Sequence, residues 1–224
     1  MHELSFDRLD VDGALADAAE RAGVMSRGTF LAGALGGTAA LLGFAAEPAA
    51  AQSARDVSIL NYALTLEYLQ ASFYTEAERM KALRGRAAEA AEVVGAVERA
   101  HVKAFRDVLG GKAVGRPSFD FQGTTEDQNA FLKTAVAFED LAVEAYKGQA
   151  PRLQANSALS AALAIHSVEA RHAAWMRYLF GVEPATRAFD EPRSKQQITR
   201  VVNSTNFITG SPSTEGRRTP SYTG

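Results

Sequence analysis

The sequence VERAH occupies residues 97–101, and the closely similar VEARH occupies residues 168–172. Each stretch contains Glu-x-x-His, and residues three positions apart project from the same side of an α-helix. A glutamate and a histidine at this spacing can therefore reach one common point. The chain has only four histidines, and two of them follow a glutamate at this interval. The repetition favours a shared role for the two motifs.

The two motifs belong to a longer internal repeat. Glu67 and Glu139 each follow a large apolar residue, and each is followed seven positions later by a tyrosine, Tyr74 and Tyr146. The glutamates of the Glu-x-x-His motifs come 31 residues (98 minus 67) and 30 residues (169 minus 139) after them. In an antiparallel helix pair, residues equally far from the turn lie at the same height. The four glutamates can therefore share one level.

Four long segments carry apolar residues at helical spacing, namely residues 56–84, 86–109, 125–147 and 156–180. Glycines separate or end these segments: Gly85, Gly110, Gly111, Gly148 and Gly181. Thr125 and Gln128 predict a capping box at the start of the third helix. Ser194 and Gln197 predict another at the start of a short helix over residues 194–202.

The fold class depends on the connection between the second and third segments, residues 111–124. A helix of about 23 residues is about 35 Å long, whereas this connection can extend about 45 Å, so the third helix can run parallel to the second. We therefore predict an all-α four-helix bundle of two antiparallel helix hairpins with a long crossover between helices 2 and 3. Phe119 and Phe121, on either side of Asp120, predict that the crossover lies extended with one face buried.

All four glutamates lie on apolar stripes of their predicted helices. Glu67, for example, shares its face with Leu60, Leu64 and Ala71. Burying an ionised carboxylate without compensation costs several kcal/mol, and four carboxylates at one level also repel each other. Two histidines supply at most two positive charges. Two divalent ions balance four carboxylates and leave both imidazoles neutral as ligands.

The sequence therefore predicts a site for two metal ions whose ligands are Glu67, Glu98, His101, Glu139, Glu169 and His172. A hydrogen-bonded polar network with raised carboxylate pKa values is the alternative. We interpret Tyr74 and Tyr146 as core residues with satisfied hydroxyls, the alternative being redox partners. We interpret His166 as a residue that supports the site or helix packing rather than as a ligand, and Phe105 and Trp175 as core.

Composition limits the partners. Cysteine is absent, so any metal is bound by oxygen and imidazole donors, which suit iron, manganese or zinc. The formal net charge is -2, and acidic and basic residues are interspersed without a basic stripe. Binding to nucleic acid needs such a stripe, so we expect no nucleic-acid partner.

The two ends of the chain differ from its middle. Residues 1–52 are interpreted as a leader with an export signal, because the apolar run Thr29–Ala46 follows Arg27 and precedes three alanines at 49–51. An uncleaved anchor helix is the alternative. Residues 26–31 resemble a twin-arginine signal in which Gly28 replaces the second arginine. Residues 53–205 form the predicted bundle, and residues 206–224 a flexible tail.

The four helices and their six polar residues resemble the ferritin-like superfamily of di-iron carboxylate proteins. Residues 61–69, 73–74 and 145–148 are similar to a bacterial ferritin-like domain group that includes desiccation-related proteins. The resemblance spans about residues 55 to 205. It implies that Glu98 and Glu169 bridge two metal ions, that Glu67 and Glu139 are terminal carboxylates, and that each histidine binds one ion.

Two positions depart from the pattern of relatives. Gln70 stands where many relatives carry a second acidic residue, and Ala142 stands where rubrerythrin-like proteins that reduce peroxide have an extra glutamate. The chain also lacks cysteines for an electron-transfer iron. These departures weaken the case for a rubrerythrin-type peroxidase.

The resemblance implies an exported protein, located in the periplasm, cell envelope or outside the cell, that holds two Fe ions or alternatively Mn. Such a protein oxidises Fe(II) or consumes peroxide or dioxygen, so that the six metal-binding residues are also the catalytic ones. A homodimer or larger homo-oligomer is compatible with this interpretation. The alternative is a non-enzymatic envelope or desiccation-stress protein with a structural or vestigial metal site. An iron-storing cage has less support.

Overall fold

Long α-helices dominate the computed structural model, which describes residues 52–210. The helices are α1 (Ala54–Met80), α2 (Gly85–Leu109), α3 (Gln128–Gln149), α4 (Asn156–Phe180) and α5 (Lys195–Ser204). Short 3-10 turns follow α2 (Gly110–Lys112) and α3 (Ala150–Arg152), and two short strands are β1 (Ser118–Phe119) and β2 (Ile208–Gly210). The all-α fold class is confirmed. None of the helices within residues 52–210 has the length and apolar character needed to span a bilayer.

The helices form two hairpins. α1 packs along α2 and α3 packs along α4, while α1 also contacts α3 and α2 contacts α4. The first hairpin turns at Lys81, which adopts a left-handed φ of 54° and ends α1 four residues before the predicted boundary. Gly181, with a φ of 83°, ends α4 as the sequence predicts.

The crossover between α2 and α3 is fastened to the bundle by its aromatic residues. Phe121 is buried, and its ring stacks on that of Phe119 with a centroid distance of 5.8 Å. Strand β1 pairs antiparallel with β2, and Asp120 N–H donates to the carbonyl oxygen of Phe207 (2.9 Å). The prediction of an extended crossover with one buried face is confirmed.

Two apolar clusters fill the bundle. The phenylalanine cluster centres on Phe73, Phe121, Phe131 and Phe138, with the rings of Phe73 and Phe131 stacked at 5.1 Å. The largest side chains of the second cluster are Leu64, Tyr68, Phe105, Leu109 and Ile165. Along α2, Val94 belongs to the first cluster and Val102 to the second. Glu98 lies midway between these two valines, so the apolar spacing of α2 turns its carboxylate inward.

The start of α3 differs from the sequence prediction. The predicted capping box of Thr125 and Gln128 is wrong, because the N-cap is Asp127, whose carboxylate accepts from Ala130 N–H (2.8 Å). Thr125 instead donates its hydroxyl to Glu76 (2.8 Å), and Gln128 accepts from the backbone N–H of Arg84 (2.9 Å). An aspartate caps as well as a threonine, which leaves both side chains free to tie the crossover to the first hairpin. The capping box of Ser194 and Gln197 on α5 is confirmed.

The predicted ends of the chain lie mostly outside the described residues. These regions are the leader with its apolar run at 29–46 and the part of the predicted tail from residue 211 onward. Residues 206–210, which the sequence assigns to the tail, differ from that expectation. Phe207 is buried with its ring 5.5 Å from that of Phe121, and β2 follows directly. Burial of this ring binds the start of the tail to the bundle.

Gly148 allows the segment before α5 to cross α3 at close range. A Cβ at this position would lie 2.0 Å from the carbonyl oxygen of Arg193. The crossing is held by Glu144, whose backbone oxygen accepts from Arg193 N–H (3.1 Å) and whose carboxylate lies 3.0 Å from Arg193 Nε.

Gly148→Ala is expected to lower the free energy of unfolding by about 1–3 kcal/mol, because the backbone of Arg193 must move to make room for the methyl group. Urea denaturation followed by circular dichroism measures this change. Gly111→Ala is the matched control, since a Cβ there meets nothing within 4 Å, and we expect a change within about 0.5 kcal/mol. Equal stability of the two variants would contradict the close crossing.

Candidate metal centre

Six side chains from the four long helices meet in the middle of the bundle. They form what we call the carboxylate–histidine cluster: Glu67, Glu98, His101, Glu139, Glu169 and His172. Each glutamate has 0% of its surface exposed, while His101 is 4% and His172 is 6% exposed. α1 and α3 supply one glutamate each, and α2 and α4 supply one Glu-x-x-His pair each. The structure thus brings together every residue that the sequence analysis selected as a metal ligand.

The cluster divides into two sets of potential ligands that share two members. Glu67 and His101 complete one set, Glu139 and His172 complete the other, and Glu98 and Glu169 belong to both. Within each set, one candidate ligand atom from every residue lies within 4.8 Å of the others. This division has the symmetry of the sequence repeat.

The two shared carboxylates are oriented towards both histidines. Glu98 places Oε2 3.5 Å from His101 Nδ1 and Oε1 2.9 Å from His172 Nδ1. Glu169 places Oε1 3.1 Å from His101 Nδ1 and Oε2 3.9 Å from His172 Nδ1. Each of these carboxylates therefore presents one oxygen to each set.

The polar atoms of the cluster are poorly satisfied by the protein itself. Seven of them lack a hydrogen-bond partner: Glu67 Oε2, both oxygens of Glu98 and of Glu169, His101 Nδ1 and His172 Nδ1. The contacts of 2.9–3.9 Å between histidine nitrogens and carboxylate oxygens bring charges together without hydrogen-bond geometry. Buried polar atoms without partners are rare in proteins. Oxygen and imidazole donors with free lone pairs fit divalent cations, so this observation favours a metal site over the alternative of a self-sufficient polar network.

The pKa values of three residues in the cluster are raised, so the cluster favours bound protons or other cations. Burial raises the pKa of Glu169 well above its ordinary value, with a further contribution from Glu98, and burial raises the pKa of Glu67 to about 7. Burial lowers the pKa of His172, but Glu139 and Glu98 outweigh this effect and raise it to about 10. The cluster therefore takes up protons where it holds no other cation, and a metal ion that binds must displace them.

Two tyrosines hold the unshared glutamates by hydrogen bonds that cross between the hairpins. Tyr74 on α1 donates to Glu139 Oε1 on α3 (2.5 Å), and Tyr146 on α3 donates to Glu67 on α1. Both tyrosines are buried, and burial raises the pKa of each hydroxyl well above its ordinary value, which keeps the hydroxyls protonated. This burial and hydrogen bonding support the interpretation of Tyr74 and Tyr146 as core residues with satisfied hydroxyls. The structure also shows that both hydroxyls contact the cluster directly.

The sequence does not predict the contact between Gln70 and the cluster. The Nε2 of Gln70 donates to Glu139 Oε2 (3.2 Å), so this glutamate is held at both oxygens. The repeat offers no counterpart, because the residue three positions after Glu139 is Ala142. The signal in the sequence was the position of Gln70, one helical turn after Glu67 on the same inward stripe.

The remaining residues considered as possible functional groups lie outside the cluster. His166 Nε2 is 3.9 Å from Asp190 Oδ2, in agreement with its interpretation as a residue that is not a ligand. Phe105 is buried in the second cluster, and Trp175 is partly buried against the phenylalanine cluster.

Comparison with known proteins gives one family match. The model of a family described as "Ferritin-like domain" matches residues 55–182, which is more than half of the chain. The match covers the four long helices and all six residues of the cluster, and it does not distinguish a desiccation-related subgroup. No curated protein matches the chain.

Removing the Tyr74 hydroxyl tests whether the tyrosines position the cluster for metal. Tyr74→Phe is expected to weaken binding of one metal ion about 10- to 100-fold, because Glu139 loses an orienting hydrogen bond, while the set containing Glu67 keeps Tyr146. Titration with Mn(II) followed by calorimetry should then show two unequal steps.

Tyr68→Phe is the matched control for this titration. Tyr68 is buried on the same helix, but its hydroxyl contacts Arg106 and the carbonyl oxygen of Val114 instead of the cluster. We expect wild-type Mn(II) binding in this variant. Unchanged binding in Tyr74→Phe as well would show that the hydroxyl does not position a ligand.

Proposed function

Since the chain belongs to the ferritin-like domain family, we propose that it binds two redox-active metal ions, iron or manganese, at the carboxylate–histidine cluster. We further propose that it uses them to oxidise Fe(II) or to consume peroxide or dioxygen. The observation that carries the proposal is the pair of buried ligand sets sharing Glu98 and Glu169, with seven polar atoms that have no hydrogen-bond partner.

The proposed role of each residue follows from its orientation. Glu98 and Glu169 present one oxygen to each set and would bridge the two ions. Glu67 and His101 would complete the ligands of one ion, and the matching pair on α3 and α4, Glu139 and His172, would complete those of the other. Four negative charges balance two divalent ions, so both imidazoles can bind in their neutral form.

The protein contributes charge, orientation and exclusion of water. When bound, a pair of Fe(II) or Mn(II) ions supplies two electrons, which together with two protons reduce one molecule of hydrogen peroxide to two molecules of water. The carboxylates are hard donors that favour the higher oxidation states of these metals. Hydrogen bonds from Tyr74 and Tyr146 orient the unshared glutamates. The four glutamates have no exposed surface, and the apolar side chains of both clusters separate them from bulk water.

A structural role for the metal is the second candidate function. The complete burial of the four glutamates supports it, because an ion held by all four helices would fasten the two hairpins together. Both functions require metal binding, and only the first requires turnover.

The double substitution Glu98→Gln, Glu169→Gln tests both candidates. Glutamine keeps the size of each side chain but removes the charge, so we expect metal content to fall from about two ions per chain to less than about one. The folded state should survive, since neutral amides are less costly to bury than carboxylates. Elemental analysis after loading with Fe(II) or Mn(II) under anaerobic conditions measures the change.

Peroxide consumption and melting temperature, measured on the same samples, distinguish an enzymatic role from a structural one. Glu92→Gln, at an exposed position on α2, is the control and should keep wild-type metal content. The oxidoreductase proposal predicts repeated consumption of hydrogen peroxide when Fe(II) is supplied in excess. Metal binding and a raised melting temperature without turnover would favour the structural role. Equal, near-zero metal in the wild type and the double variant would refute both.

We also propose that the protein is exported, to the periplasm, cell envelope or exterior. The support is the apolar run Thr29–Ala46 and the small residues at 49–51. Mass spectrometry of protein from a secreting host is expected to find an N-terminus near residue 52. A full-length chain retained in the membrane fraction would instead support an anchor helix.

A further inference from the structure

The two unshared glutamates of the carboxylate–histidine cluster, Glu67 and Glu139, are oriented alike in two respects. In both, Oε1 accepts a hydrogen bond from a tyrosine of the other hairpin. In both, Oε2 faces the histidine of the same ligand set. Glu67 Oε2 lies 3.2 Å from His101 Nδ1, and Glu139 Oε2 lies 3.5 Å from His172 Nδ1. Any difference between the two glutamates must therefore come from other contacts.

A buried amide distinguishes the two Oε2 atoms. Gln70, which is 2% exposed, donates from Nε2 to Glu139 Oε2 (3.2 Å). Glu67 Oε2 has no hydrogen-bond partner among the described residues. The position on α3 that corresponds to Gln70 holds Ala142, whose methyl group cannot donate a hydrogen bond. The protein therefore holds Glu139 at both oxygens and Glu67 at only one.

These hydrogen bonds limit how far each carboxylate can move. Hydrogen bonds to an ionised carboxylate are stronger than those between neutral groups. A shift of Glu139 on its ion would lengthen the hydrogen bond from Gln70 or the one from Tyr74. Glu67 can move its free oxygen while its other oxygen keeps the hydrogen bond from Tyr146. Movement is therefore less costly for Glu67 than for Glu139.

Movement of a carboxylate changes the number of open positions on a metal ion. A carboxylate binds an ion through one oxygen or through two, and an external molecule needs an open position on the ion. A carboxylate that withdraws one oxygen provides such a position. Because Glu67 and His101 belong to the same ligand set, this position would open on the ion beside His101.

We propose that Gln70 makes the two ions unequal: it fixes Glu139, leaves Glu67 able to withdraw one oxygen, and so directs a small external ligand to the ion beside His101. The inference rests on the proposed function, in which that ligand is peroxide or dioxygen. Gln70 is a positioning residue in this scheme, because it acts through Glu139 and contacts neither ion. The ion beside His172 keeps a constant set of ligands.

Azide, a small anion that binds metal ions, is the probe that tests the proposal. Crystals of the Mn(II)-loaded wild-type protein are compared before and after soaking with azide. We expect azide on the ion beside His101 only, with Glu67 displaced and Glu139 unmoved. Titration of the same protein in solution, followed by electron paramagnetic resonance, should saturate at about one azide per chain, because one position opens.

Gln70→Leu removes the amide and keeps a buried side chain of similar size. Glu139 Oε2 then lacks a hydrogen-bond partner, as Glu67 Oε2 does, so we expect azide on both ions and saturation at about two azides per chain. Gln149→Leu is the matched control, since Gln149 is also a buried glutamine but lies outside the cluster. Azide should bind to this variant as it does to the wild type.

Azide on the ion beside His172 in the wild type, on both ions or on neither would overturn the proposal, and this result decides even if Gln70→Leu fails to fold. One azide per chain in a folded Gln70→Leu variant, still beside His101, would show that Gln70 does not direct the ligand. Absence of Mn(II) from the cluster would refute the proposed function itself. Two bound Mn(II) ions that share azide equally would refute only the present inference.

Discussion

The burial of four carboxylates at one level of the bundle is the constraint on which the rest of the structure depends. Glu67, Glu98, Glu139 and Glu169 come from four different helices and have no exposed surface. Their mutual repulsion and the cost of removing each charge from water oppose association of the hairpins unless cations lie among them. A cation bound at this level contacts all four helices, so its binding free energy becomes part of the free energy of folding. Under the proposed function, the same six side chains would determine both the stability of the bundle and its chemistry.

The two sides of the glutamate level are packed differently. On one side, stacked phenylalanine rings fill the interior, and α5 and the strand pair cover it. On the other side, towards the starts of α1 and α4, lies a mainly apolar cavity of about 40 Å³. Gln70 adds a similar asymmetry within the cluster, because it holds Glu139 and has no counterpart at Glu67. The sequence repeat has therefore produced a symmetric set of potential ligands inside surroundings that are not symmetric.

The fold and the convergence of the six residues could be predicted because both follow from periodicity. Helical spacing places Glu98 between Val94 and Val102, and equal distances from the turns set the common height. Contacts between elements distant in sequence could not be predicted in this way. The spacing of Thr125 and Gln128 predicts a cap, but the Thr125 hydroxyl donates to Glu76 on another helix. The composition of residues 206–224 predicts a tail, but the Phe207 ring packs against that of Phe121. Each of these depends on which side chains become neighbours in three dimensions, which local spacing does not specify.

The most direct test of the central claim is anomalous scattering from crystals of the Mn(II)-loaded protein. We predict two anomalous peaks inside the bundle, one beside His101 and the other beside His172, with Glu98 and Glu169 between them. Peaks confined to the protein surface, or an interior in which the histidine nitrogens and carboxylate oxygens contact only each other and water, would contradict it.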